Sequence, residues 1–158
     1  MIIIGEKINA SHPSVRTIIE NRKAAAIIDL AKQQTAAGAQ YIDVNVGTGI
    51  GSQDDEVKAI EWAVKTLQEA IDTPLCIDSA DPVVLEAGVK SINGGDLMIN
   101  STKAEEKDLE AVVPLAVETD ALLVALTMEG AGIPETVGER LKAGEKIASA
   151  CETHGMPI

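Results

Sequence analysis

Five short apolar runs along the chain have the length of strands, and each carries an acid, an amide or a hydroxyl residue at or near its end. The runs cover residues 2–4, 41–46, 75–79, 97–101 and 122–126; the first leads to Glu6 and Asn9, and the last leads to Thr127. A segment with helical character follows each of them. The order predicts a βα unit repeated five times, and strands that alternate with helices predict a parallel sheet with right-handed crossovers.

The intervening segments carry signals for helix starts and helical stripes. Residues 24–37 and 53–71 place apolar side chains at a spacing typical of an amphipathic helix. Cap residues mark three further starts, namely Asp81 before Pro82, Thr102 with Glu105, and Thr136 with Glu139. We therefore predict helices that begin near residues 82, 103 and 137.

The polar residues within the strands fall on one face. Asp43 and Asn45 share a face of the second strand, Asp78 shares a face with Cys76, and Asn100 shares one with Met98. An open doubly wound sheet usually makes both faces apolar, whereas a barrel has an inner face that can become polar near its mouth. The pattern favours an α/β barrel with its site at the carboxyl ends of the strands.

The length of the chain limits this interpretation. A complete (βα)₈ barrel takes about 250 residues, and this sequence of 158 residues holds about five units. Residues 156–158 resemble the entry to a sixth strand. Two alternatives remain open at this point, a fragment of a longer barrel or a natural partial barrel completed by association.

Composition narrows the function classes. The net charge is −12, which argues against nucleic acid because such binding depends on Lys and Arg at phosphates. No apolar run approaches the length of a membrane span and no signal peptide is visible, so we expect a cytoplasmic protein without a membrane partner. Cys76 and Cys151 lack metal-ligand spacing and are predicted to be buried thiols, and no metal site is expected.

Five motifs at the strand ends, taken together and in order, resemble the pterin-binding methyltransferases. The motifs are Gly5-Glu6-Lys7-Ile8-Asn9, Asp43-Val44-Asn45-Val46-Gly47, Cys76-Ile77-Asp78-Ser79, Met98-Ile99-Asn100-Ser101-Thr102 and Leu126-Thr127-Met128. Within that family they are most similar to methyltetrahydrofolate:corrinoid/iron–sulfur protein methyltransferases and to components of corrinoid-dependent O-demethylases. The resemblance covers residues 1–158, which it identifies as one pterin-binding domain.

The resemblance implies a TIM barrel of the dihydropteroate-synthase-like type, usually a homodimer. It implies that methyltetrahydrofolate binds in the mouth and that its methyl group is exchanged with a corrinoid (cobalamin-type) cofactor carried by a partner protein. The Asp and Asn that match Asp78 and Asn100 would hydrogen-bond the pterin ring, and Asn9, Asp43 and Asn45 fall on motifs that line the same pocket. The group nearest the chemistry is expected beyond Ile158, so no catalytic residue is assigned here.

These residue types suit a pterin. Its ring edge presents N–H donors and ring nitrogens, and a carboxylate accepts two such donors while an amide both donates and accepts. Two other interpretations remain. One is a dihydropteroate synthase-like enzyme, although the loops typical of that family are absent, and the other is a truncated, non-catalytic half-barrel that binds pterin.

Overall fold

The computed structural model describes residues 1–130 and 132–158, in which strands and helices alternate as an α/β fold. The chain divides into two compact units, Met1–Met98 and Ile99–Ile158. The strands are β1 (Ile4–Asn9), β2 (Tyr41–Asn45), β3 (Leu75–Asp78), β4 (Leu97–Lys103) and β5 (Leu122–Leu126). The helices are α1 (Pro13–Glu20), α2 (Ala24–Ala36), α3 (Gln53–Gln68), α4 (Pro82–Lys90), α5 (Glu106–Glu118) and α6 (Val137–Thr153).

The first unit is built on β1, β2 and β3, which lie side by side in chain order and run parallel. Helices α2, α3 and α4 pack against these strands. The strand side chains that face the helices are aliphatic and fully buried, as in Ile8, Ile42, Val44 and Ile77. Burial of this apolar face is what fixes the register of the strands.

In the second unit, β4 lies beside β5. Its core is an apolar cluster that joins α5 and α6 to the residue directly after β4, formed by Ala104, Leu109, Val113, Ala143, Ile147 and Cys151. Large apolar side chains also remain at the surface of this unit. Leu122 on β5 is 45% exposed, and Leu141 on α6 is 62% exposed.

Most predicted helix starts are confirmed. The Asp81 carboxylate accepts a hydrogen bond from the Val83 amide at the start of α4. Thr136 and Glu139 form both halves of the capping box at the start of α6. These local devices satisfy amide groups that have no partner inside the helix.

Other expectations for the elements were wrong. Thr102 caps no helix, because β4 continues to Lys103 and buries Thr102, and α5 begins after Glu105 without a side-chain cap. The first strand covers 4–9 rather than 2–4, and α1 had not been predicted. α3 ends at Gln68, three residues before the predicted end.

Across residues 1–130 and 132–158, no helix combines the length and the apolar character that crossing a membrane requires.

Candidate functional site

Three polar side chains form a row at the carboxyl ends of the first three strands. Asn9 on β1 is the register partner of Asn45 on β2, and Asn45 is the register partner of Asp78 on β3. Register partners on parallel strands point to the same face of a sheet, and here the preceding residues Ile8, Val44 and Ile77 point to the other, helix-covered face. Asn9, Asn45 and Asp78 are called the polar row below, and the strand register of the first unit places them side by side.

Asn45 occupies the middle of the polar row with both ends of its amide engaged. Its Nδ2 donates to Oδ2 of Asp78 at 2.7 Å, and its Oδ1 accepts from the Gly47 amide at 3.0 Å. An ionised carboxylate only accepts hydrogen bonds, so this network fixes which way the amide points. Asn45 consequently holds the Asp78 carboxylate and the beginning of the loop after β2 at the same time.

Asp78 is half-buried, and burial raises its pKa above the ordinary range for an aspartate because the charged form loses hydration. The hydrogen bond from Asn45 acts in the opposite direction and lowers the pKa. Among residues 1–130 and 132–158, only Asn45 donates a hydrogen bond to this carboxylate, and it uses Oδ2. Oδ1 is thus the oxygen that can accept from a ligand.

Asp43 and Cys76 form the next layer down on the same face. They are register partners, two residues before Asn45 and Asp78, and Asp43 is 1% exposed. The Cys76 thiol hydrogen-bonds the Asp43 carboxylate, and burial together with this neighbouring charge raises the pKa of Cys76. The structure therefore brings Asp43 beneath the polar row, and Cys76 is a buried thiol as predicted.

Asn9 closes the first strand in a tight turn. Its Oδ1 accepts from the Ser11 amide at 2.9 Å, and its backbone carbonyl accepts from the His12 amide at 3.1 Å. The Ala10 amide donates to the Asn45 carbonyl at 2.9 Å, which extends the β1–β2 pairing past Asn9. With Oδ1 engaged, the Nδ2 group is the part of this amide that can donate to a ligand.

Hydrogen bonds that involve side chains connect the loops that follow β2 and β3. The Gln53 amide, at the start of α3, donates to Asp81 at the start of α4, at 2.7 Å. Ser79, directly after Asp78, accepts from the Asp81 amide at 3.1 Å. These bonds connect the segments that follow β2 and β3 and so restrain the surroundings of Asp78.

One hollow lies beside the segment that follows β2. It has a volume of about 260 Å³, and its lining includes Arg22, Val46, Thr48 and Lys58 but none of Asn9, Asn45 and Asp78. The Arg22 guanidinium stacks over the Trp62 ring at 5.1 Å.

In the second unit, Asn100 lies on β4 and is half-buried, and a cis peptide bond joins it to Ser101. Thr127 and Met128 follow β5, and the Met128 carbonyl accepts from the Ala104 amide at 2.9 Å. The role predicted for Asn100 in binding the pterin stays a prediction. Searching residues 1–130 and 132–158 reveals no group of three or more His, Cys, Asp and Glu side chains that could hold a metal ion.

Comparison with known families decides the class of the chain. A family model described as "Pterin binding enzyme" matches residues 5–156. The chain belongs to the pterin-binding enzyme family. The polar row and Asn100 all lie within the matched residues, and the family predicted from the five motifs is confirmed.

Relatives within this family include methyltransferases. The chain is 38% identical over 158 residues to a methylcorrinoid:tetrahydrofolate methyltransferase of Eubacterium limosum, covering 99% of this chain and 57% of that protein. It is 29% and 28% identical over 153 residues to the methionine synthases of Mycobacterium leprae and Mycobacterium tuberculosis, covering 93% of this chain and 12% of each synthase. The chain thus spans little more than half of the first relative and a small part of the others.

A solved structure identifies the fold. The chain superposes on the crystal structure of 7,8-dihydropteroate synthase from Vibrio fischeri ES114 with a TM-score of 0.68 and 17% identity, covering 98% of this chain and 57% of that one. The predicted fold class, an α/β fold of the TIM-barrel type with five βα units, is confirmed.

One residue that supports the site was missed. Gln34 on α2 is 6% exposed and its carbonyl reaches the backbone of β1. The signal was present in the sequence, because Gln34 continues the apolar stripe of Ile27 and Ala31 at helical spacing. A polar residue on a buried stripe generally has a specific partner.

Proposed function

We propose that this protein binds N5-methyltetrahydrofolate through its polar row and takes part in methyl transfer between that folate and the cobalt of a corrinoid protein. The observation that carries the proposal is the register of Asn9, Asn45 and Asp78 at adjacent strand ends. Membership of the pterin-binding family supports it. The name of the Eubacterium limosum relative supports the methyl donor and acceptor.

The chemistry of the polar row suits a pterin edge. Asp78 offers Oδ1 as a charged acceptor for N–H donors of the ring, and its other oxygen is already held in place by Asn45. Asn9 offers an amide donor for a ring nitrogen or the carbonyl oxygen. Asp43 lies below the polar row on the same face, as a buried carboxyl group beside Cys76. Asn100 is proposed as a further ligand on the strength of the family resemblance.

Transfer from N5 requires positive character to develop on that nitrogen, because a neutral amine is a poor leaving group. A corrinoid supplies the cobalt that exchanges the methyl group, and it would be carried by a partner protein. The contribution of this chain is to bind the pterin, fix its orientation and exclude water from its buried edge. The proposal includes a corrinoid protein as partner and a homodimer as the assembly.

Binding is the first test. Isothermal titration with methyltetrahydrofolate should give a saturable signal, and dihydropterin pyrophosphate should compete weakly. Stronger binding of the pyrophosphate than of methyltetrahydrofolate would favour the dihydropteroate synthase-like alternative. Absence of binding of either compound to the folded protein would contradict the pterin assignment.

Turnover is the second test. The absorbance change of cob(I)alamin on methylation, followed in the presence of methyltetrahydrofolate, measures transfer directly. Turnover by the 158-residue chain alone would refute the non-catalytic half-barrel alternative. Binding without turnover would support it and would assign the remaining chemistry to groups outside these residues.

A further inference from the structure

β1 contains one more residue than the strand beside it. Gly5 pairs with Ile42 and Ile8 pairs with Val44, so two residues of β1, Glu6 and Lys7, stand opposite the single residue Asp43. This arrangement is a β-bulge, which inserts a residue into one strand and re-aims the side chains that follow.

The bulge decides which face Asn9 occupies. Without the extra residue, Ile8 would stand opposite Asn45, and Asn9 would move to the face that packs against the helices. Ile8 is instead fully buried on the helix side, and Asn9 lines up with Asn45. The polar row therefore has three members rather than two because β1 is bulged.

A bulge leaves an amide without a partner in the sheet, and here a helix supplies the acceptor. The Lys7 amide donates to Oε1 of Gln34 on α2 at 2.8 Å. Gly5 provides the space, since a Cβ at that position would lie 2.7 Å from Oε1 and 3.0 Å from Cδ of the same side chain. Gln34 and Gly5 therefore fit each other as a pair.

Among the described residues, the hydrogen bond from Lys7 is the one that holds the Gln34 side chain. Within residues 1–130 and 132–158, the buried Nε2 atom has no hydrogen-bond partner. An unpaired buried donor opposes folding. The carbonyl bond to Lys7 is thus the polar contact that accounts for an amide, rather than an apolar side chain, at this point of the stripe.

We propose that Gln34 is a positioning residue, whose carbonyl oxygen fixes the bulge of β1 and thereby directs Asn9 into the polar row. Gln34 touches no ligand in this proposal and acts through β1. The structural part stands on geometry alone, and the effect on binding rests on the proposed function.

Hydrogen exchange tests the structural part without a ligand. In Gln34→Met, which keeps the volume and removes the acceptor, we expect the amides of Lys7 and Ala10 to exchange about 3–10-fold faster, as loss of one hydrogen bond would give. The Ile42 amide, which donates to Pro74 between β2 and β3, should be unchanged. Gln33→Met, at an exposed neighbour on the same helix, is the control.

Two exchange results would overturn the proposal. Acceleration at Lys7 without acceleration at Ala10 would mean that Gln34 caps one amide and does not set the register. Equal acceleration at Ile42 would mean a general loss of stability. Gly5→Ala, which pushes the Gln34 amide away from the other side, should reproduce the Gln34→Met pattern and guards against a variant-specific effect.

A double-mutant cycle tests the effect on binding. Gln34→Met should raise the Kd for methyltetrahydrofolate about 3–10-fold, and it should have no further effect in an Asn9→Ala background. An equal effect in both backgrounds would show that Gln34 does not act through Asn9. If the wild-type protein does not bind the folate at all, the proposed function fails while the exchange experiment still decides the role of Gln34.

Discussion

Asn45 and Asp78 stand opposite each other at the ends of β2 and β3, and the Asn45 side-chain amide donates to the Asp78 carboxylate at 2.7 Å. The bond has two consequences. It leaves one carboxylate oxygen for a ligand, and it lowers the pKa of a group whose burial acts to raise it. A carboxyl group that is partly shielded from water, with one oxygen held and the other open to a ligand, is suited to accept hydrogen bonds from an N–H-rich ring edge.

Asp78→Asn removes the charged acceptor and preserves the shape of the side chain. We expect methyltetrahydrofolate to bind about 1–3 kcal/mol more weakly, the range for hydrogen bonds to a charged group. Isothermal titration measures this, and Asp72→Asn, an exposed aspartate before the other end of β3, is the matched control. An unchanged Kd in a folded Asp78→Asn protein would remove Asp78 from the site.

The raised pKa of Asp78 also makes stability depend on pH. The folded state binds more protons than the unfolded state between the unfolded and the folded pKa, so stability decreases as the pH rises through that window. The asparagine side chain in Asp78→Asn does not titrate. The urea midpoint of this variant should therefore exceed that of the wild type, and the difference between the two midpoints should be larger at about pH 7 than at about pH 3. If the two urea midpoints differ by the same amount at both pH values, that result would contradict a pKa of Asp78 that is raised by burial.

Asn45→Ala separates the two influences on Asp78. The hydrogen bond that lowers the pKa of Asp78 is lost while burial remains, so the pKa should rise further. The carboxyl carbon shift of Asp78, followed by NMR across pH, measures this directly. Asn93→Ala, on an exposed loop of the same unit, should leave the titration unchanged, and a lowered pKa in Asn45→Ala would show that Asn45 does not stabilise the charge.

The sequence was sufficient to predict the parts of the site that depend on strand parity. Asp43 and Asn45 lie two residues apart on a strand, and so do Cys76 and Asp78, so alternation alone placed each pair on one face. Burial of Val44 and Ile77 on the opposite face places the polar residues of both strands on one face of the sheet. The register observed between β2 and β3 is one of those that this pattern allows, since a shift by two residues would keep the same faces.

The first strand could not be predicted in the same way, because its parity changes at the bulge. The strand was predicted too early in the chain because residues 2–4 are all apolar, whereas pairing with β2 begins at Ile4. The contact between Gln34 and Lys7 joins residues 27 positions apart, and no local propensity encodes it. Thr102 failed as a cap for a similar reason, since continuation of β4 overrode a local capping signal.

A substitution at Gly88 on α4 can test whether the close packing of α4 on β3 holds Asp78 in place. A Cβ at Gly88 would lie 2.6 Å from Cγ2 of Ile77, which directly precedes Asp78, and 2.9 Å from Cγ1 of Ile60. We expect overpacking in Gly88→Ala to cost about 2–3 kcal/mol, the upper part of the usual range, which outweighs the gain of about 1 kcal/mol from the helix propensity of alanine. Thermal unfolding measures the difference.

The matched control is Gly144→Ala on α6, where the new Cβ would meet Cγ2 of Thr127 at 3.7 Å, an ordinary contact. There the helix propensity should dominate, and Tm should stay the same or rise. Because Ile77 and Asp78 are neighbours on β3, a shift of Ile77 in Gly88→Ala should also weaken binding of methyltetrahydrofolate. A Gly88→Ala protein as stable as the wild type would mean that α4 can move away from β3, and the close packing would then not be what positions Asp78.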